Sequence, residues 1–312
     1  MDNRQAIAIG ECMVELARGG DGRFGLAFGG DTFNTAVYLA RAGVPTAYAT
    51  ALGDDPYSAA IRDLAVAEGL DTTLLQVCPG RMPGLYLIET GNSGERTFHY
   101  WRDRSPAREL PEGRDWPRIA EALARARLVY LSGITLSLYS DEGLERLEAA
   151  LRQARSSGAL ITMDSNYRPR GWGGDHSRAR VTMQRFWSLT DIALPTFDDE
   201  AALWDDSGPD RTIARLNGCG IREIALKQGP AGALVATTGR AVQHVPIPVP
   251  VTAIDTTAAG DSFNAAYLAA RLAGRTPEVS AIEGHRLAGV VVTHRGAIAP
   301  RSATAARSRP SR

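Results

Sequence analysis

Lysine is nearly missing from this chain: among 312 residues it occurs once, at Lys227, although Lys and Arg together number 35. A phosphate-binding P-loop needs Gly-Lys followed by Ser or Thr, and no such triplet occurs. The strand motif that carries the phosphate-pairing lysine of protein kinases is missing as well. Any lysine Schiff-base chemistry must therefore use Lys227. Cysteine is scarce too. Cys12, Cys78 and Cys219 are odd in number, widely spaced and form no CxxC pair. That excludes a disulfide framework or a cysteine-rich metal site and predicts a reducing, cytoplasmic setting. Neither sign of charge prevails, since 35 basic residues meet 35 acidic ones. Binding to nucleic acid or to a membrane surface through bulk charge is not expected. No apolar run reaches the roughly 18 residues of a membrane span. Residues 1–11 lack the basic region, apolar stretch and cleavage site of a signal peptide.

What is present suits a folded core. Hydrophobic residues make up 44% of the chain and charged ones 22%, and the length allows one large α/β domain or two average ones. Residues 6–11, Ala-Ile-Ala-Ile-Gly-Glu, read as a short buried strand ending in a turn. Residues 28–31 read as a loop, 32–41 as a helix stopped by Gly43, 47–52 as a strand and 56–68 as a helix. Residues 84–101 interrupt this alternation. Two runs rich in aromatic and branched residues flank Gly91-Asn92-Ser93-Gly94, which predicts an antiparallel hairpin. Strand and helix signals then alternate again, with strands at 128–131, 160–164, 192–195 and 224–227. The pattern predicts a parallel sheet flanked by helices on both faces. No repeat of 20–50 residues is visible, and 301–312, rich in Arg, Ser, Ala and Pro, is expected to be a disordered tail.

The most specific stretch is Asp255-Thr256-Thr257-Ala258-Ala259-Gly260-Asp261-Ser262-Phe263, which runs into a strong helix pattern ended by Gly274. Small residues at a helix start let backbone approach a ligand closely. The unpaired N–H groups of the first turn then point at it, and the helix dipole favours negative charge there. The expectation is an anion hole made by the backbone of Ala258, Ala259 and Gly260. Asp261 stands at the same place, either as an N-cap or as a general base beside a transferring phosphoryl group.

This segment resembles the C-terminal signature of the ribokinase-like (PfkB-type) carbohydrate kinases, with Ala258 in place of their commoner first glycine. The N-terminal signature is similar too: Gly29-Gly30-Asp31-Thr32-Phe33-Asn34, then Leu39-Ala40-Arg41-Ala42-Gly43 and Leu52-Gly53-Asp54-Asp55. Lys227-Gln228-Gly229-Pro230-Ala231-Gly232 and Arg295-Gly296-Ala297 complete a resemblance that runs in order from about residue 6 to 300. It implies one kinase domain over 1–300, with a small β lid including about 84–101 over a sugar. It also implies ATP, Mg2+ travelling with the phosphates, possible use of K+, and Asp261 as the general base. Asp255 and Thr257 occupy the positions that usually face the monovalent cation.

Within the family the chain is most similar to the 2-keto-3-deoxygluconate kinases, on Tyr100-Trp101-Arg102-Asp103-Arg104, Asp164-Ser165-Asn166-Tyr167-Arg168 and the segment 194–200. The resemblance implies a sugar acid whose carboxylate meets Arg102 and Arg168, because a guanidinium presents a planar fork that matches it. Tyr86 and Tyr100 would supply hydroxyls, and Gly30, Asp31 and Asn34 would hold the sugar. Asn166, Lys227, Gly229, Gly232, Gly260 and His285 would border the nucleotide. Asp199 replaces the family's usual metal-site Glu, so a divalent ion is expected there through water. Lid strands in this family often pair between subunits, which implies a homo-oligomer. Alternatives are a fructokinase- or ribokinase-type kinase of a neutral sugar, a sugar-binding protein without catalysis, a Schiff-base lyase using Lys227 and a Gly-Asp-Ser esterase using Ser262.

Overall fold

A computed structural model describes residues 4–19, 21–90 and 96–305. Its strands are β1 (Ala6–Ile9), β2 (Met13–Arg18), β3 (Phe24–Gly29), β4 (Thr46–Leu52), β5 (Leu75–Val77), β6 (Leu85–Thr90), β7 (Arg96–Trp101), β8 (Leu128–Ser132), β9 (Leu160–Asp164), β10 (Ile192–Ala193), β11 (Glu223–Lys227), β12 (Ala233–Thr237) and β13 (Gln243–Val245). Nine of them form one sheet in the order β13-β12-β11-β10-β9-β8-β1-β4-β5. Neighbours from β11 to β5 run parallel, whereas β11–β12 and β12–β13 are antiparallel. The parallel sheet expected from sequence is thus a mixed one. Its last two strands carry short alanine- and glycine-flanked runs that give little periodic signal.

Both faces of the sheet are covered. Ile7, Ile9, Val129 and Leu131 enter one core, and Ala6, Ala8, Leu128 and Tyr130 enter another. Alternate residues of one strand thus feed opposite helical layers, so these strands read as continuous apolar runs. The chain leaves β1 toward β4 and β5, then crosses to β8 on the other side. At such a reversal the carboxyl ends of the strands open a crevice. The helix Ala259–Leu272 points its first turn into that crevice and packs along Pro277–Val291. The contact is close at Gly284, where a Cβ would fall 2.6 Å from the ring of Phe263.

The remaining four strands form a second sheet in the order β3-β2-β6-β7. The expected hairpin is present as β6–β7, pairing Leu85 with Trp101 and Thr90 with Arg96; its Gly91–Gly94 turn lies outside the described residues. The partner hairpin β2–β3 was not expected. Residues 28–29, read as loop, end β3, and the helix Asp31–Arg41 starts only one residue later. At the other end of the chain, Arg301–Ala305 is a short helix rather than disordered tail, with the Arg301 guanidinium 3.3 Å from Glu68. Residues 306–312 lie outside the described residues.

Candidate active site

A cleft of about 790 Å³ lies between the carboxyl ends of the large sheet and the four-stranded sheet. Its floor is the start of Ala259–Leu272. Ala258, the residue before the helix, has left-handed backbone (φ 58°), a conformation that costs a non-glycine residue energy and is held by its surroundings. Ala259 N–H donates to the Thr256 carbonyl at 3.2 Å. The N–H groups of Gly260 and Asp261 have no acceptor among the described residues, as expected for a first helical turn. Of the N–H groups in this turn, that of Ala259 is engaged, and those of Gly260 and Asp261 are the ones left to face the cleft.

Asp261 is buried and lines the cleft. Asn34 Nδ2 donates to its Oδ2 at 2.8 Å, and Thr35 Oγ1 to its carbonyl at 3.3 Å. Burial lifts the Asp261 carboxyl to about 7, and the Asp31 and Asp164 charges add to this. The Asn34 bond and the Lys227 ammonium oppose the rise. Asp31, also on the cleft, is raised by burial against hydrogen bonds from Ser132, the Thr32 backbone and Asn166. The Asn166 bond is 2.9 Å long, from Nδ2 to Asp31 Oδ2. Asn166 has a positive φ of 33° and donates its N–H to Asp164 Oδ1 at 3.0 Å.

Gly30 is required for steric reasons. A Cβ there would lie 2.1 Å from the Glu11 carbonyl oxygen, so only glycine lets Asp31 and Asn34 approach the cleft at this point.

Asp255 and Thr257 line the same cleft. Asp255 accepts the Thr257 N–H and the Gly296 N–H, both at 2.8 Å, and so fastens the loop before the helix to the segment after Val292.

On the opposite side, Arg168 and Asp199 face each other across 2.8 Å, and Arg168 Nη1 also donates to the Tyr167 carbonyl at 2.7 Å. Arg168 is half exposed at 53% and lines the cleft. Burial raises the Asp199 carboxyl, with Arg168 opposing. Above, Tyr86 and Tyr100 form the roof with Phe98, and Phe98 and Tyr100 stack at 6.3 Å. Tyr86 donates its hydroxyl proton to Glu15.

Five residues expected at the site do not line this cleft. Arg102 turns away from the cleft to pair with buried Glu11 and borders a separate hollow of about 490 Å³. Lys227 is buried. It donates to Asp164 Oδ2 at 2.6 Å and Asn264 Oδ1 at 2.9 Å, and a Cβ on Gly260 would lie 3.5 Å from its ammonium. Its ammonium thus lies beneath the first turn of the helix Ala259–Leu272. Gly229 and Gly232 shape the turn between β11 and β12, where a Cβ on Gly232 would meet the Val245 carbonyl oxygen at 2.4 Å. His285 is buried against Phe263 and donates Nε2 to the same carbonyl at 3.1 Å, and burial lowers its pKa. Motif position gives a residue's neighbourhood and not the direction of its side chain. Asp164, the acceptor common to Lys227, Asn264 and Asn166, was missed as a site residue. Its place at the carboxyl end of a parallel strand was the available signal.

The sequence profile of the pfkB family carbohydrate kinases matches residues 3–304. The chain is 44% identical over 308 residues to the 2-dehydro-3-deoxygluconokinase of Escherichia coli strain K12, covering 96% of this chain and 99% of that one. It is 41% identical over 306 residues to the enzyme of the same name from Dickeya dadantii, covering 96% and 98%. Among solved structures, 2-dehydro-3-deoxygluconokinase from Thermotoga maritima superposes with a TM-score of 0.82 at 22% identity, covering 95% of each chain. The profile spans the helix Ala259–Leu272, Asp261 in its first turn and the four-stranded sheet alike. The chain belongs to the pfkB family of carbohydrate kinases.

Proposed function

We propose that this kinase transfers the γ-phosphoryl group of ATP to the terminal hydroxyl of 2-keto-3-deoxygluconate (2-dehydro-3-deoxygluconate), giving the 6-phosphate. One observation carries the reading: a buried carboxylate, Asp261, at the unpaired first turn of a helix shares a cleft with the half-exposed Arg168. The names of the full-length relatives support the choice of acid. Asn34 holds Asp261 Oδ2, so Oδ1 takes the hydroxyl proton. The hydroxyl oxygen bonds to the γ-phosphorus as the bond from phosphorus to the ADP oxygen breaks, and ADP leaves with that electron pair. A carboxyl poised near 7 suits this proton transfer. The N–H groups of Gly260 and Asp261, backed by the Lys227 ammonium, meet the charge on the transferring group. Among the described residues the guanidinium of Arg168 is engaged only through Nη1, which leaves Nε and Nη2 as a fork for the acid's carboxylate. The four-stranded sheet acts as the lid that excludes water.

No group of three His, Cys, Asp or Glu is placed to hold a metal among the described residues. Mg2+ fits as an ion that arrives on the ATP phosphates and keeps most of its waters, with Asp199 beside it. It neutralises phosphate charge. K+ fits beside the buried carboxylate of Asp255 and Thr257, where it would add positive charge behind the anion hole. Exposed Phe24, Leu26 and Trp101 on the lid favour pairing with a second copy, and three free cysteines favour a reducing, cytoplasmic setting.

The test is ADP release over a panel of the keto-deoxy acid, fructose and ribose. Loss of two charge-assisted bonds predicts that kcat/KM favours the acid by about 10²-fold or more. Fructose or ribose turned over as well as the acid would leave a neutral-sugar kinase, the reading that Arg102's engagement with Glu11 favours.

A further inference from the structure

Arg170 belongs to none of the motifs and does not line the cleft, yet it joins the base of the molecule to the lid. It lies in the 3₁₀ turn Pro169–Trp172, two residues after Arg168. That turn is firmly seated. Trp172 is buried, Gly171 N–H donates to the Arg168 carbonyl at 2.9 Å, and a Cβ on Gly171 would fall 2.8 Å from Ser137 Oγ. From this seat Arg170 Nη1 donates to the Phe98 carbonyl at 3.3 Å, and the guanidinium lies 5.8 Å from the centre of the Tyr100 ring. Phe98 and Tyr100 belong to β7, an edge strand of the lid sheet. An edge strand presents carbonyls that no neighbouring strand takes up, and among the described residues the lid's own apolar cluster has only three buried members, Met13, Tyr86 and Ile88, with Ala17, Phe98 and Tyr100 partly buried against them. A region with so few buried apolar groups opens at low cost, so a fixed contact from outside weighs heavily.

We propose that Arg170 is a positioning residue that latches the lid. It caps the open edge of β7 and stacks on Tyr100, and so holds that phenol over the end of the cleft where Arg168 stands. The guanidinium also draws electron density from the ring face. That makes the Tyr100 hydroxyl a better donor and suits it to an acceptor such as a carboxylate or keto oxygen. Because Arg168 and Arg170 share one turn, the latch keeps the lid in register with the arginine that reads the acid.

The proposal rests on reading the four strands as a lid over the sugar, and its main test needs no substrate. Amide hydrogen exchange across residues 96–101 is measured in the free protein, as wild type, Arg170→Met and Arg170→Lys. Met keeps the apolar stem without the charge, and Lys keeps the charge without the planar fork. Exchange should quicken about fivefold in Arg170→Met, with Arg170→Lys between it and wild type. KM for the sugar that wild type phosphorylates best should rise about tenfold in Arg170→Met, with kcat within about twofold. The urea midpoint should stay unchanged, since the contact lies outside both main cores. Unchanged exchange in both variants overturns the latch, even if KM rises, because Arg170 would then act on the substrate directly. A shared loss of urea stability reduces it to a structural contact. A wild type that prefers a neutral sugar overturns the substrate named above and leaves the exchange result standing.

Discussion

In the base of the cleft, Asp164, Lys227, Asn264, Asn166 and Asp31 are joined by hydrogen bonds of 2.6 to 3.0 Å. Four of these residues, all but Asp31, are buried. Among the described residues of the lid, three buried residues and three partly buried ones form the apolar cluster, and charged pairs such as Arg18–Glu89, 3.7 Å apart, are half exposed. The base holds charge in fixed positions before any ligand arrives, which is what electrostatic stabilisation of a transition state requires. The lid carries little stabilisation of its own, which is what a part that must open and close requires. Chemistry should therefore fail when the base is altered, and affinity should fail when the lid side is altered.

The largest expected effect is in the base. Asp261→Asn should lower kcat by about 10²–10⁴ while the fold persists. Turnover near that of wild type would remove Asp261 from proton transfer and weaken the division between base and lid. Next comes Arg102, at the join of the two regions. Glu11 is buried, and Arg102 is its charged partner. Arg102→Ala strands that carboxylate and should lower unfolding free energy by about 3 kcal/mol in urea, part of which Glu11→Gln in the same chain restores. If Arg102→Ala unfolds like wild type yet loses affinity for the acid, Arg102 leaves Glu11 and reads the substrate after all. Arg168→Ala should raise KM for the acid about 10- to 100-fold with a smaller change for fructose; equal effects on both sugars would separate Arg168 from the carboxylate.

The smallest effects concern protons. Activity at limiting substrate should rise with pH through about 7, as Asp261 ionises. A flat profile between pH 6 and 8 would be incompatible with that carboxyl as base. Stability should move the other way. Burial raises the folded Asp261 carboxyl above the usual 3.8, so between these values the folded chain binds more protons than the unfolded one, and stability falls as pH rises. Asp261→Asn should thus melt higher than wild type at pH 8, with the gap closing toward pH 4.

The base was far more legible in sequence than the lid, and the reason is physical. Gly30, Asn34 and Asp261 sit where backbone must come close or a helix must begin, and those demands fix residue types at fixed spacings. The hairpin β6–β7 was visible through its aromatic residues and Gly/Asn turn. Its partner β2–β3 was not, although a Gly/Asp-rich stretch follows Arg18, because Met13–Arg18 does not alternate and Phe24–Gly29 contains two glycines and presents no buried face until its end. Lys227 and His285 are buried with partners inside the protein, which their motif positions did not reveal. A basic side chain near a nucleotide motif reads the same whether it faces a ligand or, like Lys227, neutralises a buried Asp164.

Gly30 alone bridges β3 and the helix Asp31–Arg41, and it is the shortest of four passages between the four-stranded sheet and the rest of the chain. The others are residues 10–12, 78–84 and 102–105. A plate tied at four places cannot swing out on one hinge. As the proposed lid it would tilt, with the single-residue tether at Gly30 as the pivot, while the longest tether, 78–84, is itself held by Gly80 N–H on Asp54 at 2.8 Å and by Arg81 on Glu109 at 3.0 Å. In the proposed lid, movement would then be greatest far from Asp31 and least beside it, so a sugar held by Asp31 would stay gripped while the opposite rim of the cleft admits or releases it. Lengthening the 78–84 passage should widen that rim without disturbing the grip. One residue inserted at Gly30 should free the pivot and uncouple the two.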